Sequence, residues 1–473
     1  MPELNSHVMG RVRHIHFVGI GGAGMSGIAE LLHNLGYEVS GTDVSDSRTT
    51  RHLRSLGINI LLGHDESHVQ GSDVVVYSSA VSMDNPEIKS AHQQRIPVIR
   101  RAQMLAELMR FRSGIAVAGT HGKTTTTSLI ASLLAEGGFD PTYVIGGLLN
   151  SAGSHARLGS GKYLVAEADE SDASFHHLQP VIAVLTNIDP DHLENYGGDF
   201  ERLKTNFVEF INRLPFYGLA VICIDNPGSR EITGKISNSF ITYGIDNDAD
   251  LMAQNIRYDK TITEFDVIQG SEQTWSGLRL NLPGKHNVLN ALAAIAVATE
   301  LGVAKQDIAR ALKNFQGIAR RCNVLGDICI DNKTVMLIDD YAHHPEEIAA
   351  ILSAVKTGWP GRRVVVVFQP HRFTRTRNLF DEFCKILAAV DVLILLEIYP
   401  AGEDPIPGVT GASLCQAIQA KGKLNPVFVE NVADVGPVLP GLLLDQDIIL
   451  ILGAGNIGLL GGSLRDQYGP NIH

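Results

Sequence analysis

The sequence predicts an α/β protein of three domains built on mostly parallel sheets. A rhythm of short β-branched run, glycine turn and helical pattern recurs in HIHFVGIGGAGMSGIAELLHNLG, GIAVAGTHGKTTTTSLIASLLAEGG and DIILILGAGNIGLLGGSL. Continuous apolar strands that alternate with helices belong to parallel sheets covered on both faces. The length of 473 residues matches about three domains at roughly 150 residues each. One glycine-rich strand–turn–helix unit falls in each successive block.

The first block covers residues 1–112. Its strand HIHFV runs into Gly19-Ile20-Gly21-Gly22-Ala23-Gly24 and a helix, and Asp43 ends the next strand. Gly-x-Gly-x-x-Gly between a strand and a helix, with an acidic residue at that distance, sets backbone N–H groups at a helix N-terminus against a diphosphate. A diphosphate-bearing ligand is expected. A nicotinamide cofactor is one candidate, and glycines that serve only a tight turn and close helix packing are another reading. Asp73–Tyr77 reads as a further buried strand, and the block ends near RFRSG at 110–114.

The second block, 113–320, opens on Gly119-Thr120-His121-Gly122-Lys123-Thr124-Thr125. Val117 occupies the place of the first glycine in a full Gly-x-x-x-x-Gly-Lys-Thr loop, but the chemistry survives. Backbone amides and the helix dipole hold phosphate, Lys123 reaches its outer oxygens, and the Thr124 hydroxyl can bind Mg²⁺. Glu167 follows the strand Tyr163–Ala166, where an acidic residue completes the magnesium site in phosphate-loop proteins. Glu170 and Asp172 read as a solvated acidic turn as readily as ligands. His192 follows the strand Val181–Thr186, at the end where open α/β sheets bind ligands. Residues 248–282 alternate and read as antiparallel strands inserted before a helix that starts near Asn287; Gly284-Lys-His286-Asn287 opens that helix.

The third block, 321–473, carries buried-strand candidates Val364–Phe368 and Val392–Glu397. Asp339-Asp340-Tyr341 and Gln369-Pro-His371-Arg372-Phe-Thr-Arg375 each follow a strand, and Arg320-Arg321 mark the preceding boundary. Guanidinium forks suit a carboxylate or a phosphate. The third glycine loop, Gly453 to Gly458, has no acidic partner about 20 residues on and little chain after it, reads as a structural turn at least as readily as a site, and is left out of the site.

Composition narrows the function classes. Lys and Arg number 39 against 51 Asp and Glu, a net charge of −12. A nucleic-acid binder normally needs a basic face, and an anionic membrane attracts basic ones, so neither partner is expected. Five cysteines without Cys-x-x-Cys spacing read as buried thiols in a reducing compartment. No signal-like segment and no apolar run of about 18–20 residues is present, so a soluble cytoplasmic enzyme is expected.

GTHGKTTT, EADESDASF, NIDPDHLENY, PGKHN, DDYAHHP and FQPHRFTRTR, in this order, resemble the muramyl (Mur) ligases of peptidoglycan synthesis, and more narrowly the branch that adds L-alanine to UDP-N-acetylmuramate. The resemblance covers essentially the whole chain. It implies an N-terminal Rossmann-like domain for the UDP-sugar, a central phosphate-loop ATPase domain, and a C-terminal Rossmann-like domain that closes on ATP and binds the amino acid. Gly21, Gly22, Ala23 and Gly24 would then hold the UDP diphosphate, and Asp43, His64, Ser78, Ser79 and Ala80 match uridine-side positions. Gly119 to Thr125 become the ATP loop, with Thr124, Glu167 and His192 as Mg²⁺ ligands (Mn²⁺ as a substitute). Lys123, Glu167 and His192 carry the catalytic charge. His286 and Asn287 fall near the adenine, Asp340 at the ribose, and Arg320 or Arg321 at the phosphates. Tyr341, His371, Arg372 and Arg375 match the region that receives L-alanine. A monomer or weak homodimer is expected, with roles in cell wall biogenesis, cell shape and division.

A recycling ligase that attaches a tripeptide to the same sugar is the near alternative, and a nicotinamide-dependent oxidoreductase the distant one. Two departures stand out. Lys204 lies near, but does not align with, the carbamylated lysine of many family members, which the alanine-adding branch typically lacks. Cys322 replaces the usual aromatic after the double arginine.

Overall fold

The computed structural model describes residues 9–78, 80–150, 154–170, 174–191, 193–270, 273–422 and 424–469. Three sheets organise them. The chain forms two compact units. The first comprises Met1–Ile256, Glu264–Leu280 and Asn287–Gln316; the second comprises Arg257–Thr263, Asn281–His286 and Gly317–His473. The first unit carries the first sheet and most of the second.

The first sheet has five parallel strands in the order Asn59–Leu62, Glu38–Asp43, His14–Val18, Val74–Tyr77 and Val98–Arg100. The winding reverses between His14–Val18 and Val74–Tyr77. Loops that leave the carboxyl ends of two such strands diverge, and the crevice between them is where open parallel sheets take ligands. Here those loops are Gly19–Gly24 and the turn after Tyr77.

The second sheet has ten strands. Ser113–Ala118 lies between Tyr163–Glu167 and Ile182–Leu185, parallel to both. The glycine loop, the acidic segment and the Thr186–Asp191 segment therefore leave neighbouring carboxyl ends together. Helix Lys123–Glu136 follows the loop, and most of its side chains are buried, including Thr124 to Thr127. The alternating segment becomes three strands, Leu251–Asp259, Ile262–Gln269 and Gln273–Leu280, at one edge of this sheet. The first of them joins the rest of the sheet by running parallel to Phe240–Gly244. The two overlap only at Tyr243–Gly244 and Leu251–Met252, so a short loop suffices to connect them. Asp225 stabilises that loop by accepting the N–H groups of Ile245, Asp246 and Asn247. The apolar run around residue 290 is the buried helix Lys285–Glu300. No helix among the described residues is long and apolar enough to cross a membrane.

The third sheet has six strands, parallel except for the edge strand Asn323–Ile330, which pairs antiparallel with Lys333–Asp340. All five side chains of Val364–Phe368 and of Ile448–Leu452 are buried, each worth about 1.5–3 kcal/mol in apolar burial. Cores cover both faces. Cys329 corrects the expectation of buried thiols. On the edge strand the side chains alternate, Ile328 and Ile330 point inward, and Cys329 between them is exposed; the other four thiols are buried.

Candidate active site

The central loop is shaped by two glycines with left-handed backbone. Gly119 has φ 129° and packs so closely on Thr186 and Asn187 that a Cβ would collide with the Thr186 hydroxyl. Gly122, with φ 82°, caps helix Lys123–Glu136, and a Cβ there would lie 2.6 Å from Asn290 Oδ1. The loop is stitched to the neighbouring strand end. His121 N donates to Asn187 Oδ1 at 2.7 Å, Thr186 Oγ1 donates to the His121 carbonyl at 2.6 Å, and Asp189 N donates to Thr120 Oγ1 at 2.9 Å. From the helix side, Thr126 donates to Asn290, which in turn donates to Asn287. Among the described residues no side chain caps this helix and its first turn holds no acid. Its N–H groups and dipole thus form a prepared anion site.

Lys123 Nζ donates to the Gly119 and Thr120 carbonyls and to both oxygens of Glu170, at 3.0 and 2.8 Å. Burial opposes its charge, but Glu170 and Asp169 outweigh that and raise the lysine's pKa. Glu170 is 2% exposed, so its reading as a solvated turn is overturned. Burial lifts its carboxyl to about 7, with Lys123 opposing and Asp169 reinforcing the rise. Glu167 ends the strand Tyr163–Glu167 and accepts Gly146 N–H through Oε1 at 2.7 Å. Its other oxygen accepts no hydrogen bond among the described residues. A carboxylate oxygen and the Thr124 hydroxyl are the hard donors Mg²⁺ prefers, so the residues present fit that ion. His192, Asp172 and Ser79 lie outside the described residues.

In the first sheet, Gly22 is the N-cap of helix Ala23–Asn34. Asp43 braces the loop, its Oδ2 accepting Gly21 N–H at 2.8 Å. The Ser78 turn packs on Gly19, and Ala80 N donates to Ser78 Oγ. His64 lies beside Thr42 and Glu87. Arg101 packs on Gly24 and pairs with Asp169 at 3.5 Å, linking this loop to the acidic segment. Sequence reasoning missed Arg101 and Glu87; neither sits in a motif, and the partners of each are remote in the chain. Lys204 is held by Glu201 and Glu231, at 2.5 and 2.7 Å.

In the second unit, Asp340 ends strand Lys333–Asp340, and its two oxygens accept the N–H groups of Cys322 and Ala342 at 2.6 and 2.7 Å. Burial lifts its carboxyl to about 6 against the pull of Arg321. Cys322 has φ 47° and its side chain is buried in the core of the third sheet. Arg320 and Arg321 both lie over the Tyr341 ring at 5.2 Å. Arg320 also pairs with Asp339 and donates to the Gly453 carbonyl. Gly458 packs on that guanidinium and Gly455 on Tyr399 and Gln369, so the third glycine loop serves close packing. His286 is driven down to about 4 by burial and by Arg321. His371 stacks on Tyr399 (5.5 Å, 9°) and meets His343 edge-on. Arg372, at φ 73°, donates its N–H to the Tyr399 carbonyl. Tyr399 is a further residue of this cluster that the sequence did not flag, because only the sheet brings it to His371.

A helix N-terminus uncapped among the described residues, with a buried lysine and an acidic strand end, next to a second glycine loop at a sheet's switch point, is the arrangement of a nucleotide-using enzyme of α/β class. Comparison with known proteins narrows this. The sequence profile described as "Mur ligase family, catalytic domain" matches residues 14–113, "Mur ligase middle domain" 117–298, and "Mur ligase, glutamate ligase domain" 320–455. The chain belongs to the Mur ligase family. It is 57% identical to a UDP-N-acetylmuramate–L-alanine ligase of Halorhodospira halophila, over 98% of this chain and 96% of that one. A crystal structure of UDP-N-acetylmuramate–alanine ligase from Thermotoga maritima matches with TM-score 0.82 at 30% identity, covering 96% of this chain and 98% of the other. A murein peptide ligase from Psychrobacter arcticus matches with TM-score 0.72 at 26% identity, over 98% and 100%.

Proposed function

We infer that this protein is an ATP-dependent ligase that joins L-alanine to the lactoyl carboxylate of UDP-N-acetylmuramate, a step in peptidoglycan precursor synthesis. The observation that carries this is the 57% identity to an alanine ligase along nearly the whole chain.

In the proposed reaction the sugar's carboxylate attacks the γ-phosphate of ATP, giving an acyl phosphate and ADP, and the alanine amine then displaces phosphate. A carboxylate approaching a polyphosphate meets Coulomb repulsion of about 4 kcal/mol per unit-charge pair at 4 Å and an effective dielectric near 20. Lys123 and the N–H groups of the loop oppose it. Lys123 would exchange Glu170 for the phosphate oxygens. Thr124 and Glu167, with His192, would hold Mg²⁺, which when bound supplies further positive charge to the phosphates. The first loop would take the UDP diphosphate. Asp340 would take the ATP ribose, Arg320 or Arg321 its phosphates, and His286 and Asn287 its adenine. His371, Arg372 and Arg375, with Tyr341, would receive L-alanine.

The test is an amino-acid panel with ATP and UDP-N-acetylmuramate, read by phosphate release and product mass. L-Alanine should give the largest rate and a product heavier by one alanyl residue. A preference for a tripeptide would assign the recycling reaction instead.

A further inference from the structure

The carboxylate of Glu87 is fully buried at the first turn of helix Pro86–Gln93 and collects groups from three other segments of the first sheet. Thr42 Oγ1 donates to its Oε2 at 2.7 Å, and His68 Nδ1 lies 2.9 Å from Oε1. His16 Nε2 and His64 Nδ1 both stand 3.5 Å from Oε2. Burial alone would raise this carboxyl, but hydrogen bonds from His16, Thr42 and His68 hold it at about 2. It is therefore ionised and can only accept.

This fixes the proton on a neighbouring ring. Thr42 spends its one hydroxyl hydrogen on Glu87, so towards His64 Nδ1, 3.2 Å away, it presents only a lone pair. Both polar neighbours of His64 Nδ1 are thus acceptors, and a neutral ring must carry its hydrogen there. Nε2 is left with a lone pair and has no protein partner among the described residues; the side chain is 20% exposed.

We propose that Glu87 and Thr42 are positioning residues that hold His64 as its Nδ1–H tautomer, so that Nε2 accepts the imide N–H of uracil and selects uridine over cytidine nucleotides. This rests on the reading that His64 faces the base of the UDP-sugar. Uracil offers a donor at N3, whereas cytosine offers a lone pair there, which would leave two acceptors facing each other.

The experiment compares UDP and CDP binding by calorimetry to the full chain and to Thr42→Val, Glu87→Gln and His64→Ala, together with ring 15N shifts of His64 in the unsubstituted protein. Wild type should prefer UDP about tenfold or more, with Nδ1 protonated and Nε2 bare. Thr42→Val and Glu87→Gln should bring the ratio towards one. A merely structural role would weaken both nucleotides equally and leave the ratio intact, and that result overturns the proposal. So does an Nε2–H or charged ring in the NMR measurement, which needs no variant. If His64→Ala leaves UDP affinity unchanged, the placement of the base at His64 fails, and the proposal with it. If His64→Ala weakens UDP while Thr42→Val keeps the ratio, only the tautomer control fails.

Discussion

The ammonium of Lys123 is gripped by both oxygens of Glu170, at 3.0 and 2.8 Å, with Glu170 almost wholly buried. The ammonium of the glycine loop is thereby held against an acid just beyond the neighbouring strand end. A buried lysine without such a partner would lose its charge to desolvation.

Lys123→Ala should abolish ligation while UDP-N-acetylmuramate binding is nearly unchanged, given the proposed placement of the sugar nucleotide at the first sheet's loop. The expected fall in kcat is about 100-fold or more, as for loss of one preorganised charge-stabilising donor. Turnover assays paired with calorimetry check it, and unaltered turnover would remove Lys123 from the chemistry.

Glu170→Gln should reveal the strain of burying that acid. The Glu170 carboxyl is raised from 4.5 to about 7, so the folded protein binds a proton more tightly than the unfolded chain. That stabilisation is complete below about pH 4.5 and is lost as pH rises through 7. In the ligand-free protein the stability difference should therefore shift in the variant's favour by about 1–3 kcal/mol as pH rises from 4.5 to 7.5, set against the cost of leaving the Lys123 ammonium facing a neutral amide. Thermal unfolding at several pH values measures it, and a pH-independent difference in Tm would refute it.

Much of this site was legible in the chain because its geometry is local. Gly119 and Gly122 are adjacent to Lys123 and Thr124, and strands such as Val364–Phe368 are apolar on both faces, as only a covered parallel sheet allows. Which acid of EADESD is buried was not legible. Glu167 and Glu170 differ only once Lys123 lies on Glu170 and Tyr196 donates to the Glu170 carbonyl. Glu87 and Arg101 were invisible for the same reason, their partners being dozens of residues away. Cys329 shows the converse limit, where an edge strand turned a small apolar residue to solvent.

Gly119→Ala should damage ATP use selectively. At φ 129° with a Cβ pressed onto Thr186 and Asn187, alanine forces the loop to move, at a backbone cost of about 1–3 kcal/mol. The expected outcome is a raised KM for ATP with the affinity for UDP unchanged. An unaffected KM for ATP would mean that the loop does not hold the nucleotide.

Glu167→Gln and His192→Ala should each raise the Mg²⁺ concentration for half-maximal rate by about tenfold or more, a typical cost for disturbing a metal's ligand set. Glu167 has one carboxylate oxygen committed to Gly146; in the amide the remaining oxygen keeps that bond, and an NH2 group replaces the anionic donor. A metal titration that superimposes on wild type would exclude that residue as a ligand.

Arg375→Ala should act on the amino acid alone. His371, beside Arg375, is driven from 6.5 to about 4 by burial and by the charges of Arg375 and Arg372, so it stays neutral throughout pH 5–8. The fixed cations of this cluster are then the arginines, and Arg375 is only 9% exposed. A guanidinium–carboxylate bond contributes about 1.5–3 kcal/mol, so its loss should raise the KM for L-alanine about tenfold or more and leave the values for ATP and UDP-N-acetylmuramate nearly unchanged. Arg375→Lys should recover only part of this, because a point charge cannot reproduce the planar fork. Because His371 does not titrate in that range, the KM for L-alanine in wild type should show no inflection from an imidazole near pH 6.5. Initial rates for the three substrates across pH 5–8 test both claims, and an imidazole inflection that vanishes in His371→Ala would overturn the second.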